Sequence, residues 1–185
     1  MRVNNVREMF MHELGDMLDA EKRVASGLEK MIKKVNNDAL RQQCENHLEE
    51  TEGHAERLQQ IMQDLDEKPK RQPCRGMAGL LEEFQSFVKE SKPGGDLLDV
   101  YATGAAIKIE HYEISSYESL LAMAQQLGLQ EAASELERNL IEERNMLAKL
   151  QEIGQELISE LRADEKAEEE EELEMEPAGK RQRSR

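Results

Sequence analysis

The segment HLEETEGH, residues 47–54, combines two histidines with three glutamates in eight positions. Successive residues of an α-helix are about 100° apart, so Glu50 lies about 60° from His47, and His54 lies about 20° from it on the same side. The apolar residues of the surrounding segment share that side: Leu40, Leu58, Ile61 and Leu65. The spacing therefore predicts that His47, Glu50 and His54 face the interior of a helical protein.

Three other segments place a glutamate on an apolar helical face in the same way. The three glutamates are Glu21, Glu113 and Glu143. A further glutamate, Glu110, lies about 60° from the axis of the face that contains Glu113. Counted from its tight turn, each central glutamate, Glu50 included, is about 13 to 16 residues along its helix, or about 20 to 24 Å. The pattern predicts that each of four helices contributes one carboxylate to a common layer.

Carboxylates and imidazoles in such a layer could bind metal ions. A buried, unpaired carboxylate is costly, and several together repel one another unless they are protonated or bound to cations. We therefore predict one or two ions of iron or manganese, which suit oxygen and imidazole ligands, bound by these residues: Glu21, His47, Glu50, His54, Glu110, Glu113 and Glu143. A polar core layer without metal is the alternative interpretation. No other cofactor and no catalytic residue is predicted.

The elements that must position these residues are long amphipathic helices. Periodicity predicts helices over about 3–35, 38–65 with Asp38 as cap, 97–127, and from the turn at residues 127–129 to about 161. The segment 66–96 contains three prolines and a short amphipathic helix at 77–90. Two tight turns and one long connection predict an all-α, four-helix bundle of two antiparallel hairpins joined by a crossover.

Composition limits the partners and the location. The chain has 185 residues with 3% aromatic residues and a net charge of −15. Such a charge argues against binding to nucleic acid or to anionic membranes. No apolar run approaches the roughly 20 residues of a membrane span, and the N-terminus lacks the apolar core of a signal peptide. Two cysteines, Cys44 and Cys74, do not form a disulfide framework, so a reducing cytoplasm is expected.

The last 22 residues differ from the rest. They form an acidic run followed by the basic end KRQRSR, with almost nothing apolar between them. We predict a bundle domain at 1–163 and a disordered or frayed helical tail at 164–185. A further hypothesis is that a partner protein recognises this tail, and deletion of residues 164–185 would test it.

Several blocks resemble one family in the same order along the chain: ELGDMLDAE, HLEETEGHAERL, CRGMAGLLEE, EHYEISSYESLLAMAQQLG and LIEERNML. Together they resemble the YciE/YciF-type stress proteins of the ferritin-like superfamily, over about residues 4–158. The resemblance implies a ferritin-like bundle, commonly dimeric, associated with bacterial stress. Di-iron relatives use Glu-x-x-His on two helices, whereas here Gly53 and Met146 occupy the two histidine positions.

Two functions of different classes follow. The first is a metal-binding stress protein with a mono- or dinuclear site, which could oxidise ferrous iron with oxygen or peroxide. The second is a non-enzymatic helical homodimer with a degenerate site, which the histidine missing at position 146 favours.

Overall fold

The computed structural model describes residues 3–175, and the regular structure of these residues is entirely helical. Five helices follow one another: α1 (Val6–Met31), α2 (Asp38–Asp64), α3 (Arg75–Ser91), α4 (Gly95–Gln126) and α5 (Gln130–Met175). Four of them are long, and α3 is the shorter helix predicted within the crossover. The predicted all-α fold class is confirmed.

The long helices form a four-helix bundle. α1 packs against α2 and α4, and α5 packs against α2 and α4. The short connections 32–37 and 127–129 make each sequential pair an antiparallel hairpin. The connection 65–94 crosses between the hairpins, and α3 covers the edge formed by α1 and α4. As a result α4 is enclosed by three helices, whereas α2 packs mainly against two.

Local interactions define the turns. The N-cap of α2 is Asn37, whose side chain accepts a hydrogen bond from the backbone of Leu40 at 2.9 Å. The predicted cap, Asp38, instead lies in the first turn, where its negative charge interacts favourably with the helix dipole. Gly128, in the turn that follows α4, has a φ of +72°, a conformation that glycine adopts without a steric penalty.

Asp19 joins the crossover to α1. Its carboxylate accepts hydrogen bonds from Arg71 Nη2 at 2.6 Å, from Cys74 N at 2.9 Å and from Arg23 Nε at 2.5 Å. Burial alone would raise the pKa of Asp19, but the hydrogen bonds from Arg23, Cys74 and Arg71 outweigh burial and lower it. These contacts hold the path by which the chain reaches α3.

The last helix continues beyond its predicted end near residue 161. Glutamate, lysine and alanine are good helix formers, and no glycine or proline interrupts the segment before Pro177. Residues 164–175 therefore extend α5, which is the helical alternative for the tail, and the side chains of residues 164–171 are mostly exposed. Residues 176–185 lie outside the described part of the chain. None of the described helices combines the length and apolar character needed to cross a membrane.

Candidate metal centre

Six of the seven predicted ligands converge in the middle of the bundle. They are Glu21 of α1, His47 and His54 of α2, Glu110 and Glu113 of α4, and Glu143 of α5. Each residue is at most 2% exposed. The helical period brings them inward together with the apolar residues of each face, and the antiparallel packing brings them to one level.

Two groups of potential ligand atoms share one residue. His47, Glu110, Glu113 and Glu143 form the first group, and within it the ligand atoms all lie within 4.8 Å of one another. His47 Nε2 is 3.3 Å from Glu110 Oε1 and 3.6 Å from Glu143 Oε2.

Glu21, His54 and Glu143 form the second group within the same limit. His54 Nδ1 lies 2.9 Å from Glu143 Oε1 and 3.5 Å from Glu21 Oε1. Each oxygen of Glu143 thus faces one histidine, the position expected of a carboxylate that bridges two ions.

Most of these atoms lack hydrogen bonds. Nine buried side-chain nitrogen and oxygen atoms have no hydrogen-bond partner in the described residues, and all except Thr51 Oγ1 belong to the six converging side chains. His54 Nδ1 and Glu143 Oε1 are close enough to interact but are not aligned for a hydrogen bond. Buried polar atoms normally have hydrogen-bond partners. A cluster of buried ligand atoms without such partners is therefore typical of a site that coordinates a metal ion.

Each histidine is oriented by a carboxylate on its outer side. His54 Nε2 lies 2.9 Å from Glu142 Oε2, and His47 Nδ1 lies 3.3 Å from Glu50 Oε2. An ionised carboxylate only accepts, so the histidine nitrogen donates in both contacts. When the imidazole is neutral, its other ring nitrogen directs its lone pair into the cluster. Metal-binding histidines are commonly held in this way.

Burial raises the pKa of three carboxylic acids in the cluster. The pKa of Glu143 is raised to about 7 by burial, although the adjacent His54 opposes the shift. Burial and the neighbouring Glu143 raise the pKa of Glu113 well above its ordinary value. Burial also raises the pKa of Glu21, against the influence of His54.

Burial has the opposite effect on the pKa values of the two histidines, but the neighbouring carboxylates outweigh it. Burial would lower the pKa of His54, but Glu21 and Glu143 raise it to about 10. Burial would likewise lower the pKa of His47, and Glu110 and Glu50 raise it well above its ordinary value. Without metal the cluster retains protons, and cations would have to displace them.

The donor set fits divalent cations in number as well as in type. Four buried carboxylates carry four negative charges when ionised, and two neutral imidazoles add none. Two divalent cations would neutralise this set, and one would leave a charge of −2, which retained protons could offset. Oxygen ligands with imidazole suit iron and manganese.

Glu50 is the predicted residue that the structure does not bring into the cluster. Its side chain is 38% exposed and contacts His47 from the solvent side. His47 supplies the inward contact of α2 instead. Glu110, predicted only as an additional ligand at the edge of its face, is fully enclosed.

Sequence reasoning missed the residues that surround the cluster. Glu142 contacts both His54 and Arg57. Tyr117, which is buried, donates a hydrogen bond to Glu21 and accepts one from Asn139 Nδ2 at 2.9 Å. No local pattern marks Glu142 or Asn139 as neighbours of the cluster, because their contacts with His54 and Tyr117 are made between helices.

Comparison with known proteins places this chain in a family. Residues 5–163 match the family described as a domain of unknown function, DUF892. The chain belongs to this family. Protein YciF of Escherichia coli (strain K12) is 37% identical over 155 residues, which covers 83% of this chain and 93% of YciF. The predicted resemblance to YciF-type proteins is confirmed.

Two solved structures of similar proteins share the bundle. The crystal structure of the Escherichia coli stress protein YciF matches with a TM-score of 0.80 and 35% identity, covering 85% of this chain and 99% of that one. YcfI from Rhodopseudomonas palustris, for which a structural role has been suggested, matches with a TM-score of 0.78 and 34% identity. That match covers 80% of this chain and 94% of YcfI.

Proposed function

We propose that this protein is a ferritin-like, metal-binding stress protein that holds iron or manganese in the bundle core. Glu110, Glu113 and His47 would hold one ion, Glu21 and His54 would hold a second, and Glu143 would contact both. Bound ferrous ions would supply the electrons for reduction of oxygen or peroxide. The chain's own contribution is to hold the ligands in position and to release to solvent the protons that the ions would displace.

The observation that carries the proposal is the set of eight unsatisfied ligand atoms in six buried residues. A relic site would be expected to lose at least some ligand types or to close up through hydrogen bonds. Here both histidines direct a nitrogen inward, and their outer nitrogens are held by Glu50 and Glu142. The relation to the stress protein YciF supports the biological setting.

Elemental analysis after anaerobic loading with Fe²⁺ tests the proposal. The wild type should retain one or two irons per chain, and the double variant Glu21→Gln, Glu143→Gln should retain none, because it removes a carboxylate from both groups. A double variant of exposed glutamates on the same helices, Glu29→Gln with Glu137→Gln, is the matched control. Failure of the wild type to retain any iron or manganese would overturn the proposal.

The alternative is a non-enzymatic helical-bundle dimer with a degenerate site. The structural role suggested for YcfI favours it. In that case Fe²⁺ or Mn²⁺ should leave the melting temperature of the wild type unchanged, whereas a bound ion should raise it.

We further propose that the protein is a cytoplasmic homodimer. Sedimentation velocity would measure its mass in solution, and fractionation of the source cells would locate it. A monomer at micromolar concentration would contradict the first part, and recovery outside the cytoplasmic fraction would contradict the second.

A further inference from the structure

A separate cavity lies between α1, α3 and α4. Its volume is about 460 Å³, within the range of about 300 to 1,000 Å³ typical of small-molecule sites. Most of its wall consists of apolar side chains, including these: Val24, Leu28, Phe84, Val88 and Ile109. The crossover helix α3 covers the cavity. The cavity exists because α3 packs across α1 and α4 without filling the space between them.

Three lysines surround the mouth of the cavity. Lys30 lies in the last turn of α1, Lys34 lies in the connection that follows, and Lys89 lies on α3. All three are exposed, and none has an ion-pair partner among the residues whose side chains the structure describes. In a chain with a net charge of −15, a group of unpaired cations around an apolar opening selects for an anionic group on the ligand.

The inner end of the cavity differs from the mouth. It is closed by two buried residues, Met146 and Glu110, and Glu110 is itself a member of the metal cluster. Among the described residues, Glu110 is the one acidic residue that lines the cavity, and it lies at the deep end. A ligand should place its negative charge among the lysines and its apolar part inward.

We propose that this cavity binds one long-chain carboxylate, with its carboxylate group at Lys30, Lys34 and Lys89 and its hydrocarbon chain along the apolar wall. Burial of each methylene contributes about fourfold to the binding constant, which corresponds to about 0.8 kcal/mol. The charge at the mouth distinguishes the carboxylate from a neutral or cationic chain of equal length. The proposal does not depend on bound metal, because no lysine of the mouth belongs to the cluster.

Isothermal titration of the full chain with dodecanoate, below its critical micelle concentration, tests the proposal. We expect saturation at about one dodecanoate per chain. Octanoate, which is four methylenes shorter, should bind at least tenfold more weakly. Dodecyltrimethylammonium should show no saturable binding at the same concentrations.

Two variants address the two ends of the ligand. Lys30→Gln with Lys34→Gln should weaken dodecanoate binding about tenfold, since an exposed charge pair contributes about threefold. Lys33→Gln with Lys149→Gln, exposed lysines that do not line the cavity, is the control and should change binding by less than threefold. Ala105→Phe places a ring in the cavity and should abolish binding, with circular dichroism to verify folding.

Several outcomes would overturn the proposal. One is the absence of saturable binding to the wild type. Another is equal binding by the wild type and the Lys30, Lys34 variant, which would indicate adsorption of a detergent to apolar surface. Sedimentation velocity on the same samples adds a third: if Ala105→Phe dissociates a dimer while dodecanoate does not bind, the cavity is an interface with a second copy of the chain.

Discussion

Glu113 provides the sharpest test of the metal centre, because it lies wholly within the bundle and neither carboxylate oxygen has a hydrogen-bond partner. Burial and the neighbouring Glu143 and Glu21 raise its pKa. Glutamine has nearly the same shape but cannot ionise, whereas folding at neutral pH must add a proton to Glu113 or bury its charge. Each unit by which a pKa is raised corresponds to about 1.4 kcal/mol. We expect Glu113→Gln to raise the stability of the metal-free protein by about 1 to 3 kcal/mol.

The same substitution should weaken the response to metal, because it removes a carboxylate from the group formed with His47, Glu110 and Glu143. A ligand at a hundredfold excess over its Kd stabilises the folded state by about 2.7 kcal/mol. For a chain of this size, 1 kcal/mol corresponds to about 2 to 4 °C in Tm. Mn²⁺ should therefore raise the Tm of the wild type by about 5 to 11 °C. In the variant, Mn²⁺ should raise the Tm by less than this, from a starting value that is already about 2 to 12 °C higher.

The assay is a set of thermal melts followed by circular dichroism, each with a chelator and with Mn²⁺. Glu118→Gln is the control on the same helix, because Glu118 is exposed and its ion pair with Arg144 contributes at most about 1 kcal/mol. The control should keep the full response to Mn²⁺. If Glu113→Gln destabilised the metal-free protein, or responded to Mn²⁺ as strongly as the wild type, the reasoning would be refuted.

Three other substitutions test neighbouring contacts. Glu50→Gln should weaken metal binding about 10- to 100-fold without changing the number of ions, because it loosens the orientation of His47; an unchanged affinity in a metal titration would contradict this. Glu142→Gln should have an effect of the same order through His54, measured in the same titration. Asp19→Asn should destabilise the protein by about 1.5 to 3 kcal/mol at pH 7, through loss of hydrogen bonds to a charged group. The pKa of Asp19 is lowered by folding, so this stabilisation is present above the ordinary pKa of about 3.9 and is lost as pH falls through the folded value. The difference between wild type and variant in urea unfolding should shrink from pH 5 to pH 3, and a constant difference would refute the assignment.

The contrast between Glu50 and Glu110 shows how far helical periodicity can predict a site. Both residues were about 60° from the axis of their apolar face, yet Glu110 is buried and Glu50 is half exposed. The helices around them account for the difference. α4 is covered by α1, α3 and α5, so its edge positions are enclosed, whereas α2 packs mainly against two helices. A long acidic side chain at an uncovered edge turns to water.

Residues at the centre of an apolar face were predictable because no plausible packing would expose them. Glu21, Glu113, Glu143 and both inward histidines belong to this class. The role of Asp19 was not predictable, since its partners Arg71 and Cys74 lie 52 and 55 residues further along the chain. The path of the crossover, rather than any local pattern, brings them together.

The two histidines also bear on Met146, which occupies the position where four-helix di-iron proteins carry the histidine of a second Glu-x-x-His motif. His47 and His54 are seven residues apart, so they occupy the same face of α2 two turns apart. Their ring centroids are 6.3 Å apart, and Glu143 contacts one with each of its oxygens. One helix thus offers an imidazole to each of two adjacent positions, and α5 can contribute a bridging carboxylate alone. Met146 is buried beside this arrangement and accepts a hydrogen bond from Gln43. The absence of histidine there is therefore weak evidence for a degenerate site, because His47 supplies the second imidazole from across the bundle.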